Sequence, residues 1–171
     1  APSVLAGIVN SVNEHGTEVG TVLSSHPEID VISFTGSSRT GKIIMANASD
    51  TIKHVSLELG GKAPALVFDD ADLDKSVAEI RRGVLALNGQ MCTCISRILV
   101  QDSVYDSVRQ RLKEAFTSVK IGDASAAGTE LGPIIDRANQ QRLAGIIERA
   151  ADHAQMVIHG GVGEGELAKG C

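Results

Sequence analysis

Aromatic side chains are almost absent from this chain: they make up 2% of 171 residues, with no tryptophan, one tyrosine and three phenylalanines. That scarcity removes the stacking platforms on which bases or sugars are gripped. A basic excess is also lacking. Lys and Arg number 16 against 21 Asp and Glu, a formal net charge of −5, so no basic stripe can neutralise phosphates and nucleic acid is excluded as a partner. No apolar run approaches the roughly 18 residues that span a bilayer, so no membrane partner is expected. Ala1-Pro2-Ser3 leads straight into a fold-like pattern, which does not read as a signal peptide. No internal repeat is visible, and no cluster of His, Cys and carboxylates has metal-ligand spacing. Cysteine is scarce, at three residues. The count is odd, and Cys92 and Cys94 stand too close together to staple a fold. Thiols in a reducing compartment, the cytoplasm, are therefore expected, with an organelle-targeting segment upstream of Ala1 left open.

What is present is an ordinary globular composition, 43% hydrophobic and 22% charged, in a length that suits one sizeable core or parts of two. Gly7 to Val12 reads as a short strand. Thr17 then caps a helix carrying Val19, Val22 and Leu23, which His26-Pro27 stops. Ile29 to Phe34 is a strand, Gly41 to Ala48 a helix and His54 to Leu59 a strand. In the last of these Val55, Leu57 and Leu59 share one face, and His54, Ser56 and Glu58 the other. Strands alternating with helices imply a parallel α/β sheet. Gly60-Gly61-Lys62-Ala63-Pro64, dense in residues that break both helix and strand, is the candidate domain boundary, dividing 1–59 from 60–171. Beyond it, Ala65 to Phe68 is a strand. Asp69 to Asp72 offer acidic N-terminal signals to a helix with Leu73, Val77, Ile80, Val84 and Leu87 at alternating four and three spacing, and Gly89 stands where a C-terminal cap belongs. Ile98 to Val100 reads as a strand. Asp102 or Ser103 caps a helix buried through Val104, Val108, Leu112, Ala115, Phe116 and Val119. Gly122 to Pro133 is a loop, Leu143 to Ala154 a helix, and Met156 to Ile158 a last strand. The glycine-rich tail from Gly160 carries no core signal.

Three stretches can carry chemistry. Asn88 to Arg97 puts two thiols on a tight connection between helix and strand, where a nucleophile can meet a ligand, although free cysteines more often fill a core. Gly36 to Lys42 has the glycine and lysine spacing of a nucleotide-triphosphate loop, but Ile43 stands where that loop needs a hydroxyl to hold magnesium. What survives is a strand–helix junction at which Gly36 and Ser37 either present amides to a dinucleotide pyrophosphate or form a plain capped turn. Glu58 stands in an otherwise apolar strand directly before the glycine break. Ligands bind at such strand ends, and a carboxylate held in low dielectric suits a general base, whereas an exposed or ion-paired glutamate is the plain alternative. Together Glu58 and Cys92 are expected to face one cleft. A Cys-His hydrolase built on Cys92 and His54 has only composition in its favour.

These residues resemble a known family. Phe34-Thr35-Gly36-Ser37 with Gly41, then Leu57-Glu58-Leu59-Gly60-Gly61-Lys62-Ala63-Pro64, then Gly89-Gln90-Met91-Cys92 with Ser96-Arg97, are similar, in order and spacing, to the motifs of the NAD(P)-dependent aldehyde dehydrogenase superfamily. Asp70-Ala71-Asp72-Leu73 and Leu131-Gly132-Pro133 add to the match, which runs through essentially the whole chain. The resemblance implies a partial Rossmann-like parallel sheet, the C-terminal part of an NAD(P)-binding domain over 1–59, followed by the N-terminal part of the cysteine-bearing catalytic domain over 60–171. It implies oxidation of a small-molecule aldehyde to a carboxylic acid with NAD or NADP. By position, Cys92 is the nucleophile that forms the thiohemiacetal and thioester, and its N–H is a donor to the oxyanion. Glu58 activates the hydrolytic water, and Gly36 and Ser37 contact the cofactor near its phosphates and nicotinamide side. Cys94, Lys62 and Arg97 receive no chemical role.

The match covers only the middle of such an enzyme. The resemblance therefore implies that the isolated chain is inactive and that the parent is a homo-oligomer, a dimer or tetramer. Two rivals keep the scaffold: an acylating, coenzyme A-dependent relative, and a non-catalytic structural or binding protein. The Glu58 motif speaks against the first, and retention of both Cys92 and Glu58 against the second.

Overall fold

The computed structural model describes residues 5–163 and 165–170. Ala1-Pro2-Ser3, expected not to form a signal peptide, lies outside the described residues. The chain divides into two units, Ala1–Gly60 and Gly61–Cys171.

In the first unit the order is α1 (Glu18–Ser25), β1 (Val31–Gly36), α2 (Ser38–Ser49) and β2 (His54–Leu59), with β1 and β2 paired in parallel. Parallel strands need a crossover, and α2 supplies it. Its inner stripe is Gly41, Ile44 and Ala48 at three and four spacing, all buried. Gly41 is small for a reason: a Cβ there would lie 3.1 Å from Leu59 Cδ2 and 3.4 Å from Leu57 Cδ1, so the glycine lets α2 settle onto β2. Lys53 is buried, yet its ammonium is satisfied. It donates to the His26 carbonyl at the end of α1 and to Thr51 Oγ1, the latter at 2.7 Å. A cation at a helix C-terminus also meets the negative end of the helix dipole. Asn47 Nδ2 donates to Ser24 Oγ at 2.8 Å and ties α2 to α1.

The second unit runs β3 (Ala63–Val67), α3 (Leu73–Leu85), β4 (Ile95–Val100), α4 (Tyr105–Thr117) and α5 (Arg137–Ala150), with 3-10 turns at Ala86–Gly89, Asp102–Val104 and Gly165–Lys169. Strands β3 and β4 are parallel, Ala65 facing Ile98 and Val67 facing Val100, with an irregularity between Ala63 and Pro64. The core lies on one side of this pair. Val67, Ile80 and Val108 are its buried members, and Ala65, Leu73, Val84, Ile98, Val100, Val104 and Leu112 pack around them. Asp72 caps α3 by accepting from the Lys75 N–H at 3.1 Å. Among the described residues no helix is long and apolar enough to cross a membrane.

Several expectations are corrected. Gly7 to Val12 is a turn and bend followed by irregular backbone, and Met156 to Ile158 forms no strand. Among the described residues neither apolar run has a neighbouring strand to complete its backbone bonding. Thr17 makes no capping bond. The Glu14 carboxylate instead takes the Val19 and Gly20 N–H groups at 2.9 and 3.1 Å, which holds its pKa below the usual 4.5. Asp102 and Ser103 do not cap α4, which begins after a 3-10 turn without a side-chain cap. Ala63 and Pro64 open β3 instead of ending the break. Helix α5 ends at Ala150 and buries none of its residues, so Leu143, Ile146 and Ile147 stay partly exposed. Part of the tail, Gly165–Lys169, is a 3-10 turn, and Arg137 donates to the Ala168 carbonyl within it and to the Gly170 carbonyl just past it.

Candidate active site

Parallel strands end at an edge where backbone groups and helix N-termini converge. In the first unit that edge collects three of the four candidate residues. Register places Thr35 beside Glu58 and Gly36 beside Leu59, so Gly36, Ser37 and Glu58 all stand at the C-terminal ends of β1 and β2. Glu58 alternates out of the apolar face: Val55, Leu57 and Leu59 are half-buried and Glu58 is exposed. Its carboxylate therefore lies in water within this chain, and not in the low-dielectric setting on which the sequence argument for a base drew.

Ser37 caps α2. Its Oγ accepts the Thr40 N–H at 3.1 Å and shares a hydrogen bond with Thr40 Oγ1 at 2.9 Å, while its carbonyl accepts the Gly41 N–H at 2.9 Å. The Ser38 and Arg39 amides come before the first intrahelical bond and point out of the helix end, where an anionic group is favoured. A Cβ on Gly36 would meet the tip of the Phe34 ring at 2.5 Å, a contact that a shift of the ring relieves. The capped-turn and pyrophosphate readings of this junction are thus compatible: one uses the serine oxygen, the other the amides beside it.

Cys92 belongs to the second unit and sits on two successive turns. After α3 ends at Leu85, three consecutive residues adopt the left-handed conformation: Leu87 at φ +48°, Asn88 at +56° and Gly89 at +73°. Only glycine does this without cost, and asparagine does it more readily than leucine. The reversal closes with the Gln90 N–H on the Leu87 carbonyl at 3.0 Å, and the next turn with the Cys94 N–H on the Met91 carbonyl at 3.1 Å. Cys92 occupies the outside of that second turn. It is exposed, its thiol is free, and its N–H has no partner among the described residues. Cys94 points the other way, buried, with its thiol donating to the Ala86 carbonyl at 3.3 Å. Arg97 donates to the Lys62 carbonyl at 2.9 Å and so fastens the start of β4 to the lead-in of β3.

Leu87, read as the last member of the α3 apolar stripe, is instead turned out of the helix and 70% exposed. The sequence reading also missed Asn88 and Gln90, whose side chains anchor the turn to residues 132–135. The signal was present in the Asn-Gly dipeptide, which marks backbone with positive φ. An open groove of about 710 Å³ runs between residues 121–134, α5 and the tail; Asn88 of the turn lines it and Cys92 does not. Among the described residues no group of three or more His, Cys, Asp and Glu side chains can hold a metal ion.

The aldehyde dehydrogenase family model matches residues 3–171. The chain belongs to that family. It is 38% identical over 164 residues to a chloroplastic aminoaldehyde dehydrogenase of Arabidopsis thaliana, covering 96% of this chain and 33% of the relative. It is 41% identical over 155 residues to a mitochondrial succinate-semialdehyde dehydrogenase of the same plant, covering 91% and 29%. Among solved structures, betaine aldehyde dehydrogenase from Staphylococcus aureus in complex with NAD+ superposes with a TM-score of 0.85 at 39% identity, covering 90% of this chain and 31% of that one. This aldehyde dehydrogenase chain thus spans about a third of the length of the relatives it matches. Its two parallel strand pairs are part of the family's Rossmann-like α/β fold.

Proposed function

We propose that the protein carrying this segment oxidises an aldehyde to a carboxylic acid with NAD(P)+, through a covalent adduct on Cys92. The observation that carries the reading is the turn at Cys92, where an exposed free thiol and an N–H without an acceptor among the described residues stand at one residue. The division of the chain after Gly60 supports assigning 1–59 to the nucleotide-binding domain and 60–171 to the catalytic domain.

The Cys92 thiolate adds to the aldehyde carbonyl, and its N–H donates to the oxygen that becomes negative. The adduct is a thiohemiacetal. Collapse of the oxyanion expels hydride from the former carbonyl carbon and leaves a thioester on Cys92. NAD(P)+, when bound, supplies the acceptor for that hydride. The strand-end position of Gly36, the Ser37 cap and the outward amides of Ser38 and Arg39 suit an anionic cofactor group, and these residues would hold its phosphates. The Glu58 carboxylate takes a proton from water, hydroxide attacks the thioester, and the acid departs as the Cys92 thiolate is regenerated. An exposed thiol that must stay reduced fits the cytoplasm.

The test is cofactor reduction, followed by absorbance, in a full-length enzyme carrying this segment. Cys92→Ala abolishes it, and Glu58→Gln gives one equivalent of NAD(P)H per site and then stalls. Undiminished turnover of Cys92→Ala sinks the nucleophile assignment. Undiminished turnover of Glu58→Gln sinks only the base. The 171-residue chain by itself yields no NAD(P)H.

A further inference from the structure

The turn that presents Cys92 is held from outside by a segment for which the chemistry above has no use. Asn88 donates from Nδ2 to the Pro133 carbonyl at 2.9 Å and accepts the Gly132 N–H on Oδ1 at 3.2 Å. Both ends of one amide are therefore engaged by adjacent backbone groups 44 and 45 residues downstream. Two residues on, Gln90 Oε1 accepts the Ile135 N–H at 3.1 Å, and its Nε2 donates to the Leu87 carbonyl at 3.3 Å. The space is tight around the docked backbone. A Cβ on Gly132 would lie 3.1 Å from the Ala124 Cβ and 3.8 Å from Asn88 Nδ2.

Few residue types fit position 88. Its φ of +56° costs glycine and asparagine less than other residues, though Ile52 and Leu87 adopt similar values, and the pairing needs a donor and an acceptor on one short planar group. Glycine meets the first condition and loses both bonds. Aspartate tolerates the backbone and keeps the acceptor, but loses the donor.

We propose that Asn88 is a positioning residue for Cys92. Its two-ended clamp on Gly132 and Pro133, seconded by Gln90 on Ile135, sets the pitch at which the thiol and N–H of Cys92 meet the substrate carbonyl. The proposal rests on the reading of Cys92 as the nucleophile and gives the Leu131-Gly132-Pro133 motif a task. The clamp acts on the geometry of attack, and small misplacements of a reacting group are costly in rate.

Asn88→Gly and Asn88→Asp in the full-length enzyme carrying this segment test it, with iodoacetamide mapping of Cys92 and Cys94 beside steady-state kinetics. Asn88→Gly relieves the left-handed backbone while cutting the clamp, so the melting temperature stays within a few degrees of the parent. Its kcat falls about tenfold or more with KM for the cofactor unchanged. Iodoacetamide, which spares buried Cys94 in the parent, then labels both thiols. Asn88→Asp, keeping one arm, falls between. Parental kcat together with Cys92-only labelling in both variants overturns the clamp. So does a kcat loss matched by a general loss of melting temperature, because that outcome describes a structural residue. If Asn88→Gly does not fold, Asn88→Asp carries the same comparison. Turnover that survives Cys92→Ala removes the nucleophile and with it the positioning role, a failure separate from any result at position 88.

Discussion

Leu87 pays a conformational cost that its surroundings do not return. A non-glycine residue in the left-handed region is disfavoured by roughly 1–2 kcal/mol, and the Leu87 side chain is 70% exposed with φ at +48°. The residue contributes its carbonyl, which accepts from the Gln90 N–H and from Gln90 Nε2, and neither bond needs a side chain. Leu87→Gly is therefore expected to raise stability by about 0.5–1 kcal/mol, after the extra entropy that glycine loses on folding is subtracted. A thermal melt checks it, and a lower melting temperature would show that Leu87 packs against something that matters. The same residue shows where the sequence stopped being legible. Leu73, Val77, Ile80 and Val84 follow helical spacing and do pack at the core or its margin, and continuing the count by three lands on Leu87. Periodicity carries no information about a backbone reversal. The Asn-Gly pair beside it does, and so the turn could have been anticipated. The clamp on residues 132–135 could not, because nothing local links positions so far apart in sequence. Cys92 and Cys94 stand in one short contiguous stretch, and their difference in exposure rests on the fold and not on that stretch.

Helix α3 is joined to its neighbours through Arg81 as well as through its apolar stripe. Its Nε donates to the Ala115 carbonyl of α4 at 3.0 Å, and its guanidinium pairs with Glu130. Glu130 also accepts the Lys120 N–H at 3.1 Å. The Arg81 hydrogen bond first, then the Lys120 amide, hold the Glu130 carboxyl below its ordinary 4.5. A carboxylate whose pKa is lowered by folding stabilises the native state above its unfolded pKa, and that contribution fades as pH falls through the folded value. Glu130→Gln should therefore melt lower than the parent at neutral pH, and the gap should close as pH drops below about 4.5. Melting both proteins across acid pH decides it. A gap that stayed constant would mean that the glutamine is disfavoured for its shape and not for its charge. At this scale the elements of the core were legible, since α2, α3 and α4 have amphipathic periods and β2 alternates cleanly. The failures were the isolated apolar runs at Gly7–Val12 and Met156–Ile158, because a strand exists only where another strand offers its backbone.

Parallel sheets are ordinarily covered on both faces, which is why their strands carry apolar residues throughout. The second unit covers one. Ala65, Val67, Ile98 and Val100 face its helices, whereas Leu66 and Leu99, paired side by side in the register, are 61% and 54% exposed. Phe68, just past the end of β3, is exposed as well. Composition could not reveal this, because an apolar residue in a strand reads the same whether or not its cover lies within the same 171 residues. Relatives about three times the length of this chain have further sequence with which to supply that cover. Exposed apolar faces of this kind bind hydrophobic dyes and drive association, and a two-stranded pair also presents unpaired backbone edges. The isolated chain should therefore bind anilinonaphthalene sulfonate in its folded state and associate as its concentration rises. Leu66→Lys combined with Leu99→Gln should cut both effects while changing stability by no more than about 0.5 kcal/mol per site, as for surface substitutions. Dye fluorescence and light scattering on the two proteins provide the measurement. If the double variant instead lost its cooperative melt, Leu66 and Leu99 would be holding the sheet together and the idea of an uncovered face would be wrong.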